Sequence, residues 1–376
     1  MPIANNEDFE TSIVDGVVKA LQERLPGDWA VKSSREGPGV GFNPAAAAEA
    51  FVTLEPPAGA GLTLAVEAQK SFSPRDVTML RSRSALLARM MHGGLPVLIA
   101  APWLSQRSRE LLENEGFSYL DLTGNMLLRL EDPAVYVRTT GSARNPEPAP
   151  RSSVRLTGTK ASRLIRLLVD VRPPYGVRRL AGAAGLTPGY VSQLLDALDR
   201  EALIERGARG RVESVDWPAL LRRWAQSYEV FTANRLHTFV TPAGFQDVVD
   251  KLAGDPVPPY AITGSLAAAM FSPVTATEMV MAYCDEPAAL AEKLEVLPID
   301  SGADVVLLEP FDPVVWERTI TIDAGLRLAA PSQVAVDCLT GNGRMPAEGE
   351  AVIEAIGDTE DAWRLASLEA LEAKSS

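Results

Sequence analysis

The residues best suited to chemistry crowd into one stretch of this chain. From Arg151 to Ser227 there are 14 Lys+Arg against 7 Asp+Glu, whereas residues 1–150 have 14 against 18 and residues 228–376 have 8 against 24. A basic stretch between two acidic ones, in a chain of net charge −13, is the charge distribution of a module that meets nucleic-acid phosphates. A charged helical face held out to water is the plainer alternative. Elsewhere the sequence excludes more than it offers. Cys284 and Cys338 are too few for a disulfide-stapled module or a Cys-rich zinc module. His92 and His237 form no HExxH or HxH spacing, so histidine-based metal chemistry is not expected and only carboxylate-bound Mg²⁺ stays open.

The basic stretch has its own element signals. Val177, Leu180, Ala181 and Ala184 fall on one helical face, Gly185-Leu186 supplies a tight turn, and Thr187-Pro188 gives an N-cap followed by proline at the first helical position. In the next helix Val191, Leu194, Leu195 and Leu198 face inward at helical spacing, which leaves Gly189, Tyr190, Ser192, Gln193 and Asp196 outward. Leu203-Ile-Glu-Arg206, a Gly-Ala-Arg-Gly turn and Arg211-Val-Glu-Ser-Val215 then read as strand, turn and strand. Arg206, Arg209 and Arg211 decorate that hairpin.

The flanking regions read as α/β. Phe9, Ile13, Val17 and Leu21 mark a first helix that ends at Pro26-Gly27. Strands are expected at Ala50–Leu54, Leu62–Val66, Val97–Ala101, Tyr119–Leu122 and Met126–Leu130, with helices near Pro74–His92 and Ser105–Glu115. Ser142 to Ser153, with three prolines, has the composition of a linker. Trp217 to Tyr228 reads as a helix, and a new apolar pattern begins near Phe239. After it, Tyr260–Ala268 reads as strand, Gly-Ser turn and helix, Glu278–Tyr283 and Val305–Glu309 as strands, and Ala347–Ala373 as a helical pattern. The start of the chain has no basic stretch followed by an apolar core, and Leu95–Leu104 is about half a membrane span and contains two prolines. A soluble, cytoplasmic protein is therefore expected.

Three resemblances follow from these motifs. The helix-turn-helix with its Arg-bearing hairpin resembles the winged-helix DNA-binding domain. There Gln193, Ser192 and Tyr190 would touch base edges, with Thr187 and Gly189 beside them, and Arg178, Arg179, Arg206, Arg209 and Arg211 would meet phosphates or the minor groove. Leu62-Thr-Leu-Ala-Val-Glu-Ala-Gln-Lys70, with Phe117–Asn125, resembles the PD-(D/E)xK restriction-endonuclease-like fold, in which carboxylates hold Mg²⁺ and a lysine assists the attacking water. Two residues after Glu67, however, stands Gln69. Lys70 is one position further, which strand alternation turns to the other face. The strand before lacks a central Asp, so Glu49 would substitute, and Glu10 could add a carboxylate from the first helix. The domain is accordingly expected not to cleave, and to serve as a scaffold, a dimerisation surface or a non-cleaving DNA contact. If it were active, Glu10, Glu49, Glu67 and Lys70 would carry the chemistry with Mg²⁺. Asp121-Leu-Thr-Gly-Asn125 is expected to be a turn held by its own side chains. Third, Gly264-Ser265 resembles the motif of nucleotidyltransferase folds, where the turn holds a triphosphate and the next strand presents two acids for Mg²⁺. Here Val280 follows Glu278 where the second acid belongs, and Glu309 alone does not restore it, so an inactive site is expected.

Taken together, the chain resembles the AbiEi-type antitoxin and transcriptional-regulator group. The expected architecture is multi-domain α/β and α+β: residues 1–145 restriction-endonuclease-like, 151–228 a winged helix-turn-helix, and 229–376 a degenerate nucleotidyltransferase-like α/β domain. The resemblance implies a sequence-specific regulator of double-stranded DNA, working without a cofactor and without a membrane. It further implies a toxin or defence protein as partner, while a homodimer is expected because a single recognition helix makes few base contacts. A winged-helix-targeted nuclease and a protein used only for assembly are the competing expectations.

Overall fold

The four-residue spacing of Phe9, Ile13, Val17 and Leu21 makes one apolar stripe along α1 (Asn6–Arg24), and that stripe lies on the first of two seven-stranded sheets. The structure, a computed structural model, describes residues 6–35, 50–77, 80, 95–132, 134–147, 156–254, 258–272, 277 and 279–374. The chain divides into two units, Met1–Ser152 with Arg200–Ala202, and Ser153–Asp199 with Leu203–Ser376. Both are mixed α/β. Among the described residues no helix is long and apolar enough to cross a membrane.

In the first unit the strands lie side by side in chain order: β1 (Ala30–Ser34), β2 (Ala50–Glu55), β3 (Leu62–Ala68), β4 (Val97–Ala101), β5 (Ser118–Asp121), β6 (Met126–Leu130) and β7 (Val135–Thr139). The central β3, β4 and β5 are parallel and the outer pairs antiparallel. α2 (Gln106–Asn114) links β4 to β5, started by Ser105, whose Oγ accepts from the Ser108 N–H at 3.0 Å. Strand alternation divides the core between two faces. Leu64, Val66, Ala68, Leu98, Ala100 and Leu120 meet Ile13, Val17 and Leu21 of α1. Ile99, Ala101, Tyr119 and Leu127 meet Leu112 of α2 and Val77 and Leu80 on the other side. Of the helix expected over 74–92, residues 74–77 and 80 are described and helical; the rest, His92 included, lies outside the described residues.

The second unit opens with α3 (Thr159–Asp170), α4 (Val177–Ala184), α5 (Pro188–Arg200), the hairpin of β8 (Ile204–Arg206) and β9 (Val212–Val215), and α6 (Trp217–Ala225). The second large sheet follows. Its chain order is α7 (Val230–Ala233), β10 (Arg235–Val240), α8 (Phe245–Ala253), β11 (Tyr260–Thr263), α9 (Gly264–Phe271), β12 (Val280–Cys284), α10 (Pro287–Leu294), β13 (Leu297–Pro298), β14 (Val305–Glu309), β15 (Ile320–Thr321) and β16 (Arg327–Leu328). The strands are arranged β13-β10-β14-β12-β11-β16-β15, with β12–β14 and β11–β16 parallel. α11 (Pro331–Leu339), α12 (Met345–Gly357), α13 (Glu360–Trp363) and α14 (Leu368–Lys374) close the chain. The single helical pattern expected over Ala347–Ala373 is thus broken twice. The second break, after Trp363, has a tertiary cause: Arg364 donates to the carbonyls of Val169 and Val171, and Leu365 pairs with Val171, which draws the chain out of helix. Residues 156–228 and 229–374 share one continuous apolar core, from Leu156 to Leu368.

Candidate functional site

The helix-turn-helix is built locally. α4 buries Leu180, Ala181 and Ala184 and stops at Gly185, which takes the left-handed conformation (φ 64°, ψ 37°) that suits glycine. The Leu186 N–H then returns to the Ala181 carbonyl at 2.8 Å. α5 starts on Pro188, with the Thr187 hydroxyl 3.4 Å from the Tyr190 N–H it faces. Val191, Leu194, Leu195 and Leu198 are buried. Thr187, Gly189, Gln193 and Asp196 are exposed, while Ser192 and Tyr190 are half-buried, and burial pushes the Tyr190 hydroxyl up from its ordinary pKa.

The hairpin is anchored from behind. Ile204 faces Val215 and Glu205 faces Ser214, a bulge follows, and Arg206 faces Val212. Val212 also exchanges both backbone hydrogen bonds with Tyr175, at 3.0 and 3.2 Å, so the hairpin is tied to the strand-like residue that precedes α4. At the tip Arg209 (φ 62°) and Gly210 (φ 73°) are successive left-handed residues. Arg209 and Arg211 are exposed.

The arginines of the basic stretch then separate into two groups. Most are answered within the unit. Arg163 grips the buried Asp312 through Nε at 3.0 Å to each carboxylate oxygen. Arg172 pairs with Asp361 at 2.5 Å, Arg222 with Glu350 at 2.7 Å, and Arg179 with Glu369 of α14. Arg206 pairs with Asp196 of α5 and donates to the Gly210 carbonyl at 3.2 Å. Arg209 and Arg211 face outward, Arg211 lying 4.0 Å from Glu213, and Arg178 is exposed at the start of α4. All the residues expected at the DNA lie on the one segment from α4 to the hairpin. Arg179 and Arg206, however, point their guanidinium groups at protein carboxylates.

Behind that segment lies a buried polar chain that sequence reasoning missed. Arg166 and Asp170, one turn apart on α3, are 0% and 1% exposed and 3.1 Å apart. Arg166 also donates to Gln333 Oε1 at 2.8 Å and to the carbonyls of Val314 and Glu317. Asp170 further accepts from Arg318 at 2.5 Å and from Ser332. Burial works to raise its carboxyl, but Arg166 and Arg318 outweigh it and hold the pKa below the ordinary range. Gln333 passes the chain on to Asp337 at 2.8 Å, which also accepts from Thr263 at 2.6 Å, Tyr283 at 2.8 Å and Tyr228 at 2.9 Å. Burial raises Asp337 to about 6 against the pull of those four donors, and lifts the Tyr228 and Tyr283 hydroxyls well above their ordinary values. The available signal was a charge at a core position of an apolar helix, Arg166 with Asp170 and Gln333 with Asp337, each pair at i,i+4.

The other expected sites are placed as follows. Glu67 is buried on the β3 face that carries Ile99, opposite the face covered by α1, so Glu10 and Glu67 are not brought to one site. Lys70 lies past the end of β3 with its ammonium 5.3 Å from the centre of the Phe9 ring on α1, as strand alternation predicts. Glu49 and Glu278 lie outside the described residues. Gly264 is left-handed (φ 65°) and starts α9; a Cβ there would sit 2.7 Å from the Met281 methyl. Ser265 donates to Glu348 at 2.6 Å, and both line an open cleft with Thr277, Asn342 and Arg344. Glu309 lies beside His237 at 3.4 Å and Arg235 at 3.6 Å.

Asp121–Asn125 forms a tight turn held by its side chains. Asp121 Oδ1 accepts from the N–H groups of Thr123 and Asn125 at 2.9 and 3.1 Å, and Oδ2 from Leu104 N–H at 3.0 Å and Asn125 Nδ2 at 2.8 Å. Asn125 Oδ1 in turn accepts from Arg109 at 2.7 Å and from the Gly141 N–H at 2.9 Å. At Gly141 a Cβ would lie 2.3 Å from the Thr123 carbonyl oxygen, so the two chain segments touch backbone to backbone. Compared with known protein families, with curated proteins and with solved structures, this chain finds no match.

Proposed function

We propose that this chain binds double-stranded DNA through α4, α5 and the β8–β9 hairpin, used as a winged helix, and acts as a transcriptional regulator. The observation that carries the reading is the division of the arginines. In a segment whose cations are mostly satisfied by carboxylates, Arg209 and Arg211 are left facing outward at the hairpin tip, with Arg178 at the start of α4. The opening turns of α5, with Thr187, Gly189 and Gln193 exposed, offer small residues and an amide where a recognition helix enters a major groove. A single such helix touches few bases, which favours a homodimer on two half-sites. The resemblance to antitoxin-type regulators extends the proposal to a repressor with a toxin or defence-protein partner. The nuclease alternative loses support, because Glu10 and Glu67 lie on opposite faces of their sheet.

The test is binding of fluorescent duplexes by the full chain across a salt series, on sites taken from genome-wide mapping of bound DNA. Affinity should fall steeply with salt, and Arg209→Ala with Arg211→Ala should flatten the slope by about one for each phosphate that an arginine no longer meets. Gln193→Ala should cost about 1–3 kcal/mol of discrimination while leaving non-specific binding intact. Absence of salt-dependent binding, or a slope the arginine changes do not touch, would overturn the reading.

A further inference from the structure

Arg206 stands among the expected phosphate ligands, yet its surroundings describe a different task. Its side chain is 17% exposed and its guanidinium spans two elements. One end pairs with Asp196, on the third turn of α5, and Nε donates to the carbonyl of Gly210 at the hairpin tip at 3.2 Å. The tip is shaped around it: a Cβ on Gly210 would lie 2.8 Å from an Arg206 terminal nitrogen, and Gly210 is left-handed. A planar fork with several donors can hold two acceptors at once, which the point charge of a lysine does less well.

We infer that Arg206 is a positioning residue for DNA recognition, a strut that fixes the hairpin tip, with Arg209 and Arg211, at a set distance from the exposed face of α5. The role rests on the DNA-binding reading for its purpose, but the strut itself is a property of the free protein. Asp196 has a matching part. It is an exposed carboxylate on the helix proposed to enter the groove, where its charge would repel phosphates, and the pairing with Arg206 offsets that charge while bracing the wing. A strut keeps Nε and one terminal nitrogen of the guanidinium on protein acceptors, whereas a phosphate ligand turns the group toward the DNA.

Two measurements on the full chain separate these roles. Hydrogen exchange without DNA reads the strut: Arg206→Ala and Asp196→Ala should each speed exchange of the Gly207 and Gly210 amides by about tenfold or more, equivalent to about 1.4 kcal/mol of lost protection. Arg206→Lys should recover part of that protection, and Arg209→Ala should leave it undisturbed. The salt series reads the DNA role: Arg206→Ala should lower affinity at every salt concentration with the slope unchanged, whereas Arg209→Ala should reduce the slope by about one. Unchanged exchange at 207 and 210 in both variants would overturn the strut. A slope reduced by about one in Arg206→Ala would make it a phosphate ligand. If the wild-type chain binds no DNA, the DNA reading fails while exchange still decides whether the strut exists.

Discussion

In the first unit the buried polar groups around Asp121 answer partners no more than 39 positions away, the longest link running from Trp103 to Ser142. In the second unit Arg166 reaches Gln333, 167 positions away. The first cluster also relies mainly on amides and hydroxyls around one carboxylate, whereas the second has a full ion pair at its centre with almost no exposure. The difference is one of purpose. The Asp121 cluster ties the β5–β6 turn to Leu104 and Arg109 at the start of α2 and to Gly141 after β7, all within one stretch of the chain. The Arg166 chain joins α3, the helix on which the helix-turn-helix packs, to α11 and the second sheet. Bringing two charges out of water is costly, and only this set of partners offsets the cost. The segment from α4 to the β8–β9 hairpin is therefore not a detachable module.

The sharpest way to break this contrast is to remove one end of the long chain. Arg166→Ala leaves Asp170, Gln333 and two carbonyls short of donors in a site without water access, and should cost about 3–5 kcal/mol, read by urea unfolding of the full chain. By the same logic a fragment of residues 156–228 should show no cooperative unfolding transition. A fragment that folds cooperatively by itself would erase the distinction between the two clusters.

The next effect sharpens it through pH. Asp337 keeps its proton to about 6 in the folded chain, against an ordinary value near 3.8. Between those values the native state holds more protons than the unfolded one, so this group makes stability fall as pH rises from about 4 to about 6, by about 3 kcal/mol at most. Asp170 has the opposite sign: its pKa is lowered, so its contribution is present above the ordinary carboxylate value and disappears as pH falls below it. Unfolding measured across pH 4–6 should show the Asp337 decline in the wild type and not in Asp337→Asn. An identical profile in both would assign the decline to another group.

The smallest effect belongs to the local cluster. Asn125→Ala removes the acceptor of the Arg109 and Gly141 donors and a donor to Asp121, for about 1–3 kcal/mol. The change should appear as faster hydrogen exchange near residues 121–142, with DNA affinity unchanged. A weakened DNA affinity would show that the clamp serves more than its own turn.

How much of this was legible in the sequence follows the same division. Val191, Leu194, Leu195 and Leu198 announce α5 because a helix writes its inner face into its own spacing. β2 through β6 were equally readable. β1 was not, since only Val31 of its five residues is buried and no alternation marks it. The Asp121 turn could be read because its partners are near neighbours in the chain. Nothing local told Arg206 from Arg209: both are arginines on a hairpin, and only the fold brings Asp196 to one of them. The Arg166 chain left only one local signal, a charge at a core position of an apolar helix, because its partners arrive from far along the chain.

The close backbone approach at Gly141 has a consequence for descent. A side chain of any size there would evict the Thr123 carbonyl, and a residue at 125 without a short side-chain acceptor would leave the Gly141 N–H without its partner. Selection can therefore not test the two positions one at a time. As diverging lineages wear away the surface and even the strand sequences of this unit, Asn125 and Gly141, sixteen residues apart, should be kept or abandoned together, a two-letter signature of common ancestry.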